Sequence, residues 1–100
     1  MTSVEVALSG EIDLTIAEVV RERLTAATDE AISLGIPVCV DLGEVTFLDS
    51  SGLACLARAI NRLGAADLEL RLIRVPTPIH RVLVLGGIAE RCDIDIHRTT

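Results

Sequence analysis

Apolar residues along this chain follow two different repeats in turn, and this alternation restricts the possible folds more than any other feature. In residues 4–9, 37–42, 68–74 and 92–97 they occupy alternate positions or short continuous runs, which is typical of β-strands. Between these segments they recur every three or four residues, as on one face of an amphipathic helix. The order β-α-β-α-β-α-β predicts an α/β fold, with right-handed crossovers, helices packed on the sheet, and a mainly parallel arrangement of four strands. The nearly continuous run 37–42 is typical of a strand covered on both faces.

The residues at the ends of the first helix predict how it begins and stops. Thr15-Ile16-Ala17-Glu18 has the form of a capping box, with Leu14 and Val19 at the positions of a hydrophobic staple. Gly35 follows the last periodic residue and is a good stop signal. The residues of this helix that are expected to face the core are Ile16, Val19, Val20, Leu24, Ala27, Ala31 and Leu34.

The other two helices are predicted from similar signals. The second is expected from about Ser51 to Gly64. The third begins with Thr77 as its cap and Pro78 in the first helical position, and it stops at Gly86-Gly87. The expected inward residues are Leu53, Leu56, Ala57, Ile60 and Leu63 in the second helix, and Ile79, Val82 and Leu83 in the third.

Composition argues against several classes of function. The net charge is −6, all nine basic residues are Arg, and Phe47 is the only aromatic residue. A chain with neither a basic cluster nor a set of stacking aromatics is a poor candidate for direct binding of nucleic acid. No apolar run approaches the roughly 18 residues of a membrane span, and Met1-Thr2-Ser3 lacks the positive charge of a signal peptide. These features predict a cytoplasmic protein that does not bind a membrane.

The three cysteines, Cys39, Cys55 and Cys92, each lie in an apolar context and share no metal-binding spacing. We interpret them as small core or near-core residues whose thiols are reduced. The sequence therefore predicts no metal site, and it offers no motif for a cofactor.

Polar residues cluster where the second strand is followed by the second helix. The segment Asp49-Ser50-Ser51-Gly52 lies there, and Asp13 lies in the corresponding loop after the first strand. Because parallel strands end at the same edge of a sheet, the loops 10–14 and 43–51 should meet there, where α/β folds usually bind ligands. A helix N-terminus also favours an anion, through its free N–H groups and its dipole. Capping of the helix explains the same residues without a ligand, so both interpretations stay open.

Enzyme and receiver-domain alternatives lack residues that they need. A serine hydrolase requires a histidine and an acid beside its serine. Ser50 is outside a Gly-x-Ser-x-Gly elbow, and the two histidines are His80 on the third helix and His97 after the last strand. A phospho-aspartate receiver depends on a lysine, and this chain has none. Nucleotide-binding enzymes need a GxGxxG turn or a phosphate loop with Lys, and neither occurs.

Three stretches resemble the anti-anti-sigma factors, which are stand-alone STAS domains (sulphate transporter and anti-sigma antagonist). Val38 to Leu53, an Asp-Leu strand followed by Phe-Leu-Asp-Ser-Ser-Gly-Leu, is similar to the family signature. Leu8-Ser9-Gly10-Glu11-Ile12-Asp13 is similar to the family's Leu-x-Gly-Glu-Leu-Asp turn. Val82-Leu83-x-x-x-Gly87-Ile88 resembles its Leu-x-x-x-Gly-Leu. The three stretches occur in the family's order, and the resemblance implies a single STAS domain over residues 1–100.

The resemblance implies a regulatory protein rather than an enzyme. In this family a serine kinase that is also the anti-sigma factor phosphorylates the serine that corresponds to Ser50, and a phosphatase reverses the modification. The unphosphorylated antagonist binds the anti-sigma factor and frees the sigma factor. By the same resemblance, Asp13, Asp49, Ser51 and Gly52 line the site. The residues that the resemblance places in partner binding are Glu11, Asp13, Ser50, Ser51, Leu53, Ala54 and Arg58.

The sequence departs from the family at its start, where an additional N-terminal strand is absent or cut to a few residues. Such a loss would leave a sheet edge open and favour weak pairing with a second copy of the chain. A second function stays open on the same fold. The domain would then be a regulatory or structural subunit of a membrane-associated, lipid-transport complex, with Ser50 serving only as a cap or surface residue.

Overall fold

A computed structural model describes residues 2–96 and has the element order that the periodicity predicts. His97, which the sequence places after the last strand, lies outside the described residues. The elements are β1 (Val4–Ile12), α1 (Ala17–Leu34), β2 (Val38–Leu48), α2 (Ser50–Ala65), β3 (Leu70–Val75), α3 (Thr77–Leu85) and β4 (Asp93–Ile96).

The four strands form one sheet in the order β1-β2-β3-β4, and every neighbouring pair is parallel. The predicted α/β architecture is therefore confirmed. Because all strands point the same way, their carboxyl ends lie along one edge of the sheet, here called the carboxyl edge. β1 and β2 meet this edge in register, with Ile12 paired to Leu48.

The sheet has one covered face and one open face. On β2, Val38, Val40 and Leu42 are fully buried and belong to one continuous core with the helices, whereas Cys39 and Asp41 on the other face are half-exposed. The expectation that this strand is covered on both faces was wrong. Successive crossovers of one hand between neighbouring strands place their helices on the same side of a sheet. The helices therefore cover a single face.

Both strands that lead to the carboxyl edge are longer than the sequence suggests. β1 continues through Gly10 to Ile12, and β2 continues through the predicted loop 43–51 as far as Leu48. The polar and glycine residues that look like loop signals instead mark irregularities in the ladder, since the register shifts between Ala7 and Ser9 and again between Gly10 and Glu11. The backbone that carries the candidate site is therefore held by strand pairing almost to its last residue.

The predicted start of the first helix was wrong. α1 begins at Ala17 with Ile16 in the N-cap position, and within the described chain no side chain caps it. The Thr15 N–H donates to Asp13 Oδ1 at 3.0 Å, so the aspartate closes the turn in place of a Thr–Glu capping box. Leu14 is 79% exposed and Val19 57% exposed, so these two side chains make no hydrophobic staple.

The inward faces of the helices differ in part from the prediction. In α1, Val19 and Leu34 are exposed, and Thr28 is buried beside the expected Val20, Leu24, Ala27 and Ala31. In α2 the fully buried residues are Gly52, Cys55, Leu56, Ala59 and Leu63, with Leu53, Ala57 and Ile60 half-buried against them. In α3, Ile79 and Leu83 are buried and Val82 is half-buried, as expected. Between α1 and α2 lie Leu24 and Thr28 of the first helix and Cys55 and Ala59 of the second.

The third helix also starts differently from the prediction. Thr77 is its first residue and Pro76 is the N-cap, so Thr77 is not the cap and Pro78 is one position further in. Pro76 has no N–H, and its extended backbone suits the residue before a helix. α3 has only 9 residues, and the residue that follows it, Gly86, lies against Leu53 in the first turn of α2. The helix therefore ends near the carboxyl edge instead of crossing the sheet.

Candidate functional site

The two acidic residues predicted to share an edge lie on neighbouring strand ends. Asp13 follows Ile12 and Asp49 follows Leu48, and these two preceding residues are direct partners in the parallel ladder. The Asp49 N–H also donates to the Ile12 carbonyl oxygen at 3.3 Å, which extends the ladder by one bond into the site. The predicted meeting of the two segments at the carboxyl edge is thus confirmed.

Asp49 caps the second helix. Its Oδ1 accepts hydrogen bonds from the Ser51 N–H at 2.9 Å and from the Gly52 N–H at 3.4 Å. Its carbonyl oxygen accepts from the Leu53 N–H at 3.0 Å. These bonds occupy donors that a helix N-terminus otherwise leaves free. The capping interpretation is therefore correct for Asp49, and little donor capacity is left there for a bound anion.

Ser50 is not part of this cap. It is the first residue of α2 and is exposed, and its hydroxyl forms no hydrogen bond with any residue in the described part of the chain. Its neighbour Ser51 is half-buried. An exposed, unbonded hydroxyl at a helix start is accessible to a reagent or enzyme that approaches from solvent.

Gly52 allows the helix to sit directly on the strand ends. A Cβ at this position would lie 2.2 Å from Leu48 Cδ1 and 2.9 Å from Ile12 Cγ2, well inside normal contact. Gly52 is buried and its φ angle is not positive, so the glycine is required by close approach rather than by backbone strain. A side chain here would force α2, Leu48 or Ile12 to move.

The top of the site is negatively charged. Glu11, Asp13 and Asp49 form no ion pair with any described residue. Glu11 is exposed on β1 opposite Phe47, whose ring is 47% exposed. We call Glu11, Asp13, Asp49 and Ser50 the acidic rim. Because its three carboxylates have no counter-ion among the described residues, the rim attracts a basic surface and repels an acidic one.

The predicted partner residues do not all lie on one surface. Ser51, Ala54 and Arg58 repeat at three or four residues on α2 and line an open groove against α1. Leu53 points to the other side of α2, where its Cδ1 would be 2.6 Å from a Cβ at Gly86. The partner residues implied by the family resemblance therefore lie at the N-terminus of α2 and on both sides of it.

Sequence reasoning missed the α1 wall of this groove. It consists of Leu14, Ala17, Glu18 and Arg21. Glu18 and Arg21 form a salt bridge of 2.7 Å, and this hydrogen bond and the Arg21 charge lower the pKa of Glu18. The signal was present, because Ala17 and Arg21 are one helical turn apart and match the small and basic residues Ala54 and Arg58. This signal is masked because Leu14 and Glu18 also fit a hydrophobic staple and a capping box.

Cys55 lies in the core and Cys92 packs against it, as predicted, whereas the prediction was wrong for Cys39, which is half-exposed on the open face of the sheet. Cys55 is buried at the floor of the groove, where its thiol donates to the Ala17 carbonyl oxygen at 3.6 Å and burial raises its pKa. Burial also raises the pKa of Cys39, and that of Cys92 to about 11. All three thiols are free. Protonated thiols are poor nucleophiles and poor metal ligands.

Residues 2–96 contain no group of three or more His, Cys, Asp or Glu side chains placed to hold a metal ion. Over the same residues, no helix is long and apolar enough to cross a membrane. His80 is half-buried on α3 and makes no hydrogen bond with Ser50 or Asp49, while His97 lies outside the described range. The contacts of a hydrolase triad are therefore not found around Ser50.

The family described as "Mlab, STAS domain" matches residues 2–96, which include the whole sheet and the candidate site. This chain belongs to the STAS domain family. The anti-sigma-B factor antagonists of Listeria monocytogenes and Listeria innocua are each 29% identical to it over 91 residues, which cover 91% of this chain and 77% of theirs.

Solved STAS structures show the same fold. A candidate anti-sigma factor antagonist from Thermotoga maritima superposes with a TM-score of 0.73 at 19% identity, over 91% of this chain and 78% of that one. The anti-sigma factor antagonist SpoIIAA in its unphosphorylated form gives 0.68 at 21% identity, over 99% of this chain and 82% of its own. The Bacillus cell fate determinant SpoIIAA in its phosphorylated form gives 0.66, also at 21% identity, over 93% and 82%.

Proposed function

We propose that this STAS domain is an anti-sigma factor antagonist that phosphorylation of Ser50 switches off. The observation that carries the proposal is the exposed, unbonded Ser50 hydroxyl beside a helix cap that Asp49 already fills. The names of the Listeria relatives support the antagonist role. In this proposal the partner is an anti-sigma factor that is also a serine kinase, and a phosphatase restores the active form.

Phosphorylation adds charge without a compensating bond inside the protein. The Ser50 oxygen attacks the γ-phosphorus of ATP, the bond to the bridging oxygen breaks, and ADP leaves with that electron pair while the kinase takes the hydroxyl proton. The product carries about −1.5 to −2 charges. Asp49 occupies the Ser51 and Gly52 donors, and none of the rim carboxylates has a basic partner among the described residues. The charge of the phosphate is therefore not neutralised within the protein and acts on the binding partner.

Local repulsion is large enough for such a switch. Two unit charges about 4 Å apart at an effective dielectric constant near 20 interact by about 4 kcal/mol. A like charge of the partner at this distance would thus lower affinity by nearly three powers of ten. No rearrangement of the sheet or of α2 is needed.

Incubation with a serine-kinase anti-sigma factor of the host and ATP tests the acceptor directly. We expect one phosphate, which peptide fragmentation places on Ser50, and no phosphate on the Ser50→Ala variant. Ser51→Ala is the matched control, because it removes the half-buried neighbour and should leave phosphorylation of Ser50 intact. Phosphate on Ser51 alone would disprove the assignment.

The same samples discriminate the alternative role. A regulatory subunit of a membrane-associated, lipid-transport complex would bind no kinase-type anti-sigma factor and would copurify with a membrane ATPase. An intact-mass measurement on protein isolated from its own host would then show an unmodified chain under all growth conditions. Copurification with a membrane ATPase, or an unmodified mass under all conditions, would favour the subunit role over the antagonist role.

A further inference from the structure

The C-terminal end of α3 lies beside the N-terminal turn of α2. Gly86 packs so closely on Leu53 that a Cβ there would be 2.6 Å from Leu53 Cδ1. Leu53 is three residues after Ser50 and therefore on the same side of the helix. Ile88 is then buried, and the Arg91 guanidinium donates to Asn61, so the chain returns along α2 to reach β4. The end of α3 is thus a neighbour of Ser50's helical turn.

This end of the helix exposes apolar side chains. Leu85 is 88% exposed, the most of any large apolar residue in the described chain, and Val84 is 51% exposed. Leu83, Ile79 and Ile88 are buried and hold α3 on the core, while the last two residues of the helix, Val84 and Leu85, are exposed to solvent. Scattered surface leucines are ordinary, but apolar groups that adjoin one another and a polar rim mark an interaction surface.

We propose that Leu53 and Leu85, here called the α3 flank, form the second half of the surface that binds the anti-sigma factor. The inference rests on the proposed function and adds the end of α3 to the carried-over partner set, which already includes Leu53. The flank and the acidic rim are continuous across the first turn of α2. The partner surface that fits them has an apolar patch for Leu85, basic groups for Glu11 and Asp13, which have no counter-ion among the described residues, and an acidic group opposite Ser50, as the proposed switch requires.

Leu85→Ala tests this surface, with Leu34→Ala as a matched control. Leu34 is 54% exposed at the end of α1, which leads into the start of β2 and therefore lies at the opposite edge of the sheet. Each variant is titrated by calorimetry into purified serine-kinase anti-sigma factors of the host. We expect Leu85→Ala to weaken binding at least tenfold and Leu34→Ala to leave it unchanged, with equal melting temperatures because both side chains are exposed.

A crosslinking readout separates contact from an indirect effect. A photoreactive p-benzoylphenylalanine in place of Leu85 should crosslink to the anti-sigma factor, and the same group in place of Leu34 should not. Wild-type affinity of Leu85→Ala, with no crosslink from position 85 while Ser50→Asp binds weakly, would overturn the α3 flank and leave the proposed function intact. Failure of the wild-type protein to bind any anti-sigma factor would overturn the proposed function and, with it, the flank.

Discussion

Asp13 and Asp49 occupy equivalent positions after neighbouring strands, yet they stabilise different parts of the chain. Asp49 is half-buried and satisfies two N–H groups of α2, whereas Asp13 accepts one N–H, from Thr15, in an exposed turn. Loss of a helix cap costs about 1 kcal/mol and loss of an exposed turn bond less. The two carboxylates should therefore differ in a stability measurement although they look alike in the sequence.

We expect Asp49→Ala to lower the free energy of unfolding by about 1 kcal/mol and Asp13→Ala by well under 1 kcal/mol. Urea denaturation followed by circular dichroism measures both. Asp49→Asn is the control, since its amide oxygen can still accept from Ser51 and should retain most of the stability. A larger loss for Asp13→Ala than for Asp49→Ala would mean that the turn before α1, and not the cap of α2, is the critical contact.

At the scale of elements, the close approach of α2 to the ends of β1 and β2 depends on one missing side chain. We expect Gly52→Ala to lower the free energy of unfolding by about 1–3 kcal/mol, because the new methyl group overlaps Leu48 and Ile12. Gly64→Ala in the same helix is the matched control, since a Cβ there meets no atom within 4 Å.

The Gly64 substitution should be neutral or stabilising by up to about 1 kcal/mol, from the higher helix propensity of alanine. Thermal unfolding of both variants gives the comparison. If Gly52→Ala were as stable as Gly64→Ala, the Leu48 side chain would be able to move aside and the packing of α2 on the strand ends would be looser than the distances indicate.

Element order and type could be predicted here because period-2 and period-3.6 patterns alternate without overlap. The boundaries of the elements at the site could not be predicted in this way. Asp13, rather than Thr15, closes the turn before α1, and Gly10 and Gly43 lie inside strands although glycine usually marks a turn. The shared edge of Asp13 and Asp49 followed from parallel topology alone. The spacing of Ala17 and Arg21 is a local signal for the α1 wall, but its pairing with α2, like the position of the α3 end, depends on packing between distant segments.

For the whole molecule, the proposed switch should act on binding and not on folding. Ser50→Asp places a carboxylate at a helix N-terminus, where negative charge is worth about 0.3–1 kcal/mol in favour of the fold. We expect its melting temperature to match that of the wild type and its affinity for the anti-sigma factor to fall at least tenfold, about 1.4 kcal/mol. Ser50→Ala should bind normally and resist inactivation by ATP.

Calorimetry against the anti-sigma factor, with circular dichroism as the folding control, makes this comparison. A carboxylate has one charge and less bulk than a phosphate, so its effect should be smaller than that of phosphorylation. Equal affinities of Ser50→Asp and the wild type, with both folded, would show that Ser50 lies outside the interface.

The order of strands in the sheet is also their order in the chain. A polypeptide leaving the ribosome can therefore pair each new strand with the one completed just before it, and no later strand has to insert between two earlier ones. β1, α1 and β2 can associate once residue 48 has emerged, and β3 and β4 then extend an existing template. Synthesis and assembly can thus proceed in the same direction, with few unpaired strand edges exposed to other chains during translation.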